Sequence, residues 1–369
     1  MRGIPYVNRL LLAVLIFGAA GRGVAQTYVA GVDGFDSLVR NYNAVVFNDA
    51  SFANYGDTWA GLAVGGNLSL NGGSIAIHSD LYAATSDPTL YVNGQLSLSG
   101  DTQLNSGYAS TPNLTGTWTY SNDNQRKLAG SGGNLSSANS SAAQANTNPI
   151  NNPMPSGWNW STVQAQAVSI STSLAAAAAT GIISVNTGNQ TLVFSSANTT
   201  TTGTVVFNLD ASLLGSGTYN GQNFSSLTFA IGANQNAVVN VLNANGRTIF
   251  GNGANFNDPG MADRLLWNIT GSGSVSLGNG GQFYGSVLAP LMAVSNANNT
   301  AINGQVVASS LTYASAELHY TGFSPVAVLV LEPGTFAAWA VVLCAGAYGW
   351  RRWRGRMVSS KLQVPSSRE

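Results

Sequence analysis

Short stretches of this chain return at fixed offsets, and that repetition narrows the possible folds more than any other feature. Val275-Ser276-Leu277-Gly278-Asn279 is followed nineteen positions later by Val294-Ser295-Asn296-Ala297-Asn298. At the same offset Gly285-Ser286-Val287-Leu288-Ala289 meets Gly304-Gln305-Val306-Val307-Ala308. Upstream, Gly66-Asn67-Leu68-Ser69-Leu70 returns as Gly94-Gln95-Leu96-Ser97-Leu98. Each unit sets a Gly or Asn turn before a short alternating run, the pattern of one coil of a β-solenoid. Stacked coils bury inward Val, Leu and Ile, and Ser, Asn and Thr cost little on the outer faces. The reading is a mainly β chain built as a parallel β-solenoid, with Val287 and Val306 stacked about 4.8 Å apart in adjacent coils. A β-sandwich competes, because short strands with turns every ~10 residues suit it too.

Composition favours strands and turns. Charged residues make up 8% of the chain, against about 25% in an average soluble protein. The 43 glycines, with much Asn, Ser and Thr, suit tight turns rather than long solvated helices. One segment departs from this pattern. Ser161 to Ala179 places Val163, Ala167, Ile170 and Leu174 at helical spacing. Ser161 with Gln164 reads as a capping box, Trp160 as its staple and Gly181 as the stop. A helix over 161–179 then lies along the solenoid and covers an apolar flank. Residues 109–157 are rich in Ser, Asn, Gly and Pro with almost no apolar periodicity, and read as a long polar loop. Thr199 to Thr204 reads as a low-complexity turn.

The two ends have opposite constructions. Arg2 and Arg9, an apolar core from Leu10 to Ala20, and Gly23-Val24-Ala25 before Gln26 form the three regions of a secretory signal peptide, residues 1–25. At the other end, Phe336 to Trp350 is continuously apolar or small and is followed at once by Arg351, Arg352, Arg354 and Arg356. A helix over 336–350 covers roughly 22 Å of a ~30 Å hydrocarbon core, and flanking side chains extend its reach. The arginines form a stop-transfer cluster that keeps the tail, residues 351–369, in the cytoplasm and everything upstream outside. The expected order is a signal peptide, an ectodomain over 26–324 and an anchor over 325–369. The single cysteine, Cys344, lies in the anchor, so the ectodomain has no disulfide. Between Gln26 and Leu331 stand five basic and twelve acidic residues, a net charge of −7. Nucleic acid is thereby excluded as a partner, since phosphate binding needs a concentrated basic surface.

Leu331-Glu332-Pro333-Gly334-Thr335, a hydrophobic helix and an Arg-rich tail together resemble a PEP-CTERM sorting signal. Leu331 stands where that family has its first Pro, so Glu332, Pro333 and Gly334 carry the motif. The resemblance implies a processing enzyme of the exosortase type as a partner. Over about residues 32–323 the chain resembles the choice-of-anchor A family. The matching stretches are Tyr42 to Phe47, Gly61 to Asn67, the Ala-rich helix, Leu266-Trp267-Asn268, Gly285 to Pro290 and Glu317-Leu318-His319. Ala60 and Leu62 depart from it, where a Glu and an Arg are expected. This second resemblance implies an exported domain with a fold like that of ice-binding-type solenoids.

The search for chemistry yields no catalytic residue, metal site or cofactor. The histidines are His78 and His319. No nucleophile elbow or zinc spacing accompanies them. His78 is placed at a coil corner, and His319 is placed beside Glu317, closing the last coil. Asp33 with Asp36, or Asp49 with Asp57, would supply too few oxygens for calcium, and aspartates at such turns act as caps. Trp118, Trp158 and Trp160 are candidate sugar platforms, against the alternative that Trp160 staples the helix and Trp267 belongs to the core. Ser69, Ser97 and Ser276 do not form a regular threonine ladder on this reading. The expectation is a non-catalytic exported surface or extracellular-matrix protein, adhesive, and the family resemblances imply an envelope associated with exopolysaccharide. The alternative is a solenoid that recognises ice or surface glycan through one flat face. A polysaccharide-active enzyme comes third, since it would need carboxylates clustered on one face.

Overall fold

Three strands per turn, most of them hydrogen-bonded in parallel to the same strand of the next turn, build a β-solenoid, with antiparallel pairs such as Gly181–Asn186 on Thr191–Ser196 added to it. The computed structural model describes residues 32–39, 42–78, 88–107, 109–111, 119–120, 126–129, 133–137, 158–251, 254–256, 258–278, 281–296 and 299–324. The expected signal peptide and anchor, with Glu332, Pro333, Gly334, the expected helix over 336–350 and Arg351, Arg352, Arg354 and Arg356, lie outside the described residues. Among the described residues no helix is long and apolar enough to cross a membrane.

The repeat offsets translate directly into register. Val275 pairs with Val294, Val287 with Val306, and Leu68 with Leu96, each in parallel. Parallel stacking of this kind rules out the antiparallel sandwich. The glycines that opened each repeat sit on one another at the corners. A Cβ on Gly94 would strike the Gly66 backbone, and one on Gly304 would strike that of Gly285. Close backbone approach, rather than flexibility, therefore requires glycine at these corners.

The chain does not climb the solenoid from one end to the other. On the first face the strand order is Ala109–Ser110, Leu90–Val92, Gly61–Val64, Tyr42–Val46, Val306–Ala314, Ser286–Asn296, Leu265–Ile269, Gln235–Leu242 and Gly203–Asp210. The first strand of the sequence thus pairs with the last long one: Tyr42–Val46 contacts both Gly61–Val64 and Val306–Ala314. The early coils grow away from this seam in one direction, and the later coils start at the far end and return to it. Buried side chains hold the seam together. Asn43 Nδ2 donates to the Gly304 carbonyl at 3.3 Å and Gln305 Nε2 donates to the Tyr42 carbonyl at 2.9 Å across it, while Asn43 Oδ1 is held from its own side by the Ala60 N–H at 2.6 Å.

Both sides of this first face are buried. Inward stand Leu62, Ala44, Val306, Val287, Trp267, Val239 and Phe207, neighbours in register. Trp267 is fully buried there and donates its indole N–H to the Tyr284 carbonyl at 2.9 Å. Outward stand Ala63, Val45, Val307 and Leu288, packed against two helices: α1 (Val32–Val39) through Phe35 and Leu38, and α2 (Trp160–Ala175) through Ala167, Ile170 and Leu174. That row then turns polar. Asn268, Asn240 and Asn208 follow Leu288 in register and their amides donate to the carbonyls of Ser171, Leu174 and Ala177 at 2.9, 2.7 and 3.1 Å. Each amide oxygen of Asn240 and Asn208 accepts from the next asparagine, and the row thereby supplies a donor to Leu174, one of the carbonyls at the helix C-terminus.

This geometry corrects the helix bounds read from sequence. Asn159, not Ser161, is the N-cap, with its side chain accepting from the Thr162 N–H. The C-terminus comes at Ala175 rather than Ala179, because the asparagine ladder captures the last turn; Gly181 instead opens the strand Gly181–Asn186. The polar segment 109–157 also needs correction, since it is not loop throughout. Within its described residues, Ala109–Ser110 stacks on Leu90–Val92, and Asn134–Ser137 stacks in parallel on Thr102–Leu104 and buries Leu135. One inward leucine per coil suffices there, and a single leucine carries no visible periodicity. Residues 199–202 form the expected turn, and Gly203 already begins a strand. The third helix, α3 (Ala211–Ser216), is capped by Asp210, whose carboxyl is held down to about 2 by hydrogen bonds from Asn243 and Ser212.

Candidate functional site: a ladder of hydroxyls

The second face of the solenoid is built from Leu96–Leu98, Leu68–Asn71, Ala50–Ala53, the later halves of Val306–Ala314 and Ser286–Asn296, then Ser274–Leu277 and Arg247–Ile249. Alternation in these strands turns Leu68, Leu70, Phe52, Leu311, Val294, Val275 and Ile249 inward, where all are buried. The residue between or beside them points out. Read across the registers, those outward residues are Ser97, Ser69, Ser51, Thr312, Ser295, Ser276 and Thr248. All seven carry a hydroxyl, on seven successive strands. Six steps of ~4.8 Å give a straight row about 29 Å long.

The surroundings keep the row flat. Ala53 and Ala314 flank it on one side, and Ala293 and Ser274 on the other. No rung is charged, and the carboxylate two positions before Ser51, Asp49, accepts from the Asn67 N–H at 2.7 Å. Asn67 in turn caps Gln95 at 2.9 Å, so this corner is a ladder of side-chain caps. Each hydroxyl offers one donor and two acceptor positions, and that of Ser295 also reaches the Val275 carbonyl at 3.5 Å. Such a row suits a ligand with its own repeat, and it contains no acid, base or nucleophile set for chemistry.

Ser69, Ser97 and Ser276, which do not amount to a ladder when read along the sequence, belong to one here. The correction has a clear origin. Ser51 and Thr312, adjacent rungs, are 261 positions apart in sequence, and the coil lengths between the other rungs vary. Serine alternating with leucine at 68–70 and 96–98 was the legible signal, and only the registers join the halves.

The remaining candidates fall elsewhere. His78 and His319 lie on opposite faces of Trp59, each with ring centroids 4.5 Å from it. His319 closes the last coil beside Glu317, with Nε2 2.8 Å from the carboxylate and Nδ1 2.7 Å from Asn303 Oδ1. Trp158 is buried edge-on to Tyr42, and Trp160 stacks on Tyr91, so neither is a sugar platform. Trp118 and the side chain of Asp33 lie outside the described residues. Among the described residues no three His, Cys, Asp or Glu side chains gather as a metal site.

Residues 35–320 match the family described as "Putative Ice-binding-like adhesive domain". The chain belongs to this ice-binding-like adhesive family. The match covers nearly all of the stretch from Val32 to Phe323 that carries the described solenoid. Among solved structures, an ice-binding protein from an Arctic yeast is 13% identical, covering 83% of this chain and 98% of its own, at a TM-score of 0.31. An ice-binding domain of Shewanella frigidimarina is 13% identical, covering 81% and 99%, at 0.31. An ice-binding protein from the Antarctic ascomycete Antarctomyces psychrotrophicus is 12% identical, covering 81% and 100%, at 0.27. No curated protein sequence matches the chain.

Proposed function

We propose that this adhesive domain is an exported, non-catalytic surface protein that attaches through its hydroxyl ladder to a hydroxyl-rich, repetitive polymer, an extracellular polysaccharide. The observation that carries this reading is the unbroken row from Ser97 to Thr248. Five of its seven rungs are serine, which lacks the methyl of threonine. The face therefore offers hydrogen-bonding groups with little apolar surface, which matches a glycan better than an interface that must order water against methyls. Ice is the second reading, favoured by the constant rung spacing and by the family's description.

Ser69→Tyr together with Thr312→Tyr places two large rings on the flat row without touching the core. Co-sedimentation with insoluble polysaccharides and partition into a growing ice front, each with the parent protein and the double variant, test the reading. Retention on polysaccharide that the double variant loses is the expected result. Ice partition lost in the variant, without polysaccharide retention, selects the second reading. Retention equal in parent and variant places adhesion on another surface.

Delivery to the surface completes the proposal. Export uses the signal peptide over 1–25, and the segment over 325–369 holds the domain at the outer side of the inner membrane. In finer terms the domain is of the choice-of-anchor A kind, followed by a PEP-CTERM-like signal. Glu332, Pro333 and Gly334 then present the cleavage motif to an exosortase-type enzyme that releases the domain to the cell surface. Support for this part comes from the order of apolar and basic residues at the two ends.

A further inference from the structure

The solenoid closes by docking its first coil on its last, without a covalent turn between them. At the corner opposite the ladder's flank, three rings cross that seam. Trp59 of the first coil lies between His78 of the second coil and His319 of the last, inclined by 39° and 35° to them. These are the 2 histidines of the chain. Backbone bonds accompany the stack: the Trp59 N–H donates to the Leu318 carbonyl at 3.0 Å, and the His78 N–H donates to the Trp59 carbonyl at 3.1 Å. The plane of His319 is set independently by Glu317 and Asn303, and Asn303 is itself fixed by donating to Gln282 Oε1 at 2.6 Å. Trp59 therefore docks against a ring already oriented by the last two coils.

The step from Ser51 to Thr312 in the ladder crosses the same seam. Every other step joins coils that follow one another in the chain, so their register is limited by the turn between them. We propose that Trp59, clamped by His78 and His319, is a positioning residue that, with the buried Asn43 and Gln305, keeps the two half-ladders in one register. The full binding row then exists only while the seam is closed. With the clamp gone, rows of three and four rungs remain, each too short to match an extended partner along its whole length. The effect on adhesion rests on the ladder reading above; the effect on the seam does not.

Hydrogen exchange on the full chain, compared with retention on the polysaccharide or ice selected above, tests this. In Trp59→Ala the amides that cross the seam, Phe47 to Ala308, Asn48 to Ser309 and Leu311 to Asp49, should exchange roughly tenfold faster through local opening. Those of Leu68 to Gln95 and Ala293 to Gly273, within the two halves, should keep their rates. Retention should fall although every ladder hydroxyl is intact, and Trp59→Phe, which keeps a ring in the clamp, should restore both. His319→Ala serves as a second opening variant should Trp59→Ala not fold. Unchanged seam exchange, or acceleration spread evenly over all coils in both variants, overturns the proposal. So does an open seam with full retention in a protein whose tyrosine ladder variant has lost it. Absence of retention in the parent protein sinks the ladder reading alone.

Discussion

Polar residues do two different jobs in this protein, and position within a coil separates them. Asn268 faces the helix side, is fully buried, and bonds Ser171 twice and Asn240 once. Ser51 faces solvent on the ladder and supports nothing beneath it. Asn268→Ala should therefore cost about 1–3 kcal/mol, because it leaves the Ser171 hydroxyl and the Asn240 amide oxygen without these partners in the interior. Ser51→Ala should stay within about 0.5 kcal/mol. Denaturant midpoints at constant slope measure both, and equal effects would erase the distinction. Tyr55 and Tyr313 add a pH term. Burial pushes both phenols above their ordinary range, and Tyr313 also donates to the Glu317 carbonyl at 2.6 Å. A raised value in the folded state means stability that is complete below the unfolded value of about 10 and is lost as pH rises beyond it. Phenolate absorbance should accordingly show Tyr55 and Tyr313 among the tyrosines that ionise only as the protein unfolds in alkali. Their ionisation in step with the exposed tyrosines would contradict the burial.

At the scale of elements, α2 owes its place to packing and its limits to caps. Ala167, Ile170 and Leu174 bring it to the sheet, while the asparagine row decides where its last turn stops. Its first turn depends on Asn159, whose Oδ1 lies 3.2 Å from the Thr162 N–H. Asn159→Ala should lower stability by about 1 kcal/mol. Gln164→Ala, a change at the capping-box position that sequence suggested, should be close to neutral. Thermal melts of the two single variants separate the caps, and the reverse order would restore the box. The coil corners follow the same logic of local fit. Gly94 and Gly304 are glycine because the neighbouring coil's backbone already fills the space of a side chain.

At the scale of the molecule, the described ends of the chain meet in the middle of the solenoid rather than at its tips. Phe35 packs edge-on to Phe323 at 5.7 Å, and the Phe323 N–H donates to Gln305 Oε1. The proposed anchor beyond them is testable. Each arginine placed at the bilayer centre costs ~2.5 kcal/mol or more, so Arg351 to Arg356 should stop export. In a host without an exosortase, the full chain should fractionate with membranes, whereas a chain ending at Val330 should be released in soluble form. Equal release of the two would show that residues 331–369 do not anchor.

Sequence alone determined the coil. Its Gly-led alternating runs at 275–308 and 66–98 specify side-chain facing and neighbour spacing, which are local properties, and every pairing read from them is present in the structure. The helix was legible for the same reason, since its apolar stripe lies within one segment. Tertiary structure decided what no local pattern contains. It set the order of coils along the axis, joined Tyr42–Val46 to Val306–Ala314, and so brought Ser51 beside Thr312. The ladder is a property of register between distant strands. Serine or threonine on one coil is chemically ordinary, and it becomes a site only when parallel pairing repeats it every ~4.8 Å across a seam that the chain closes by packing.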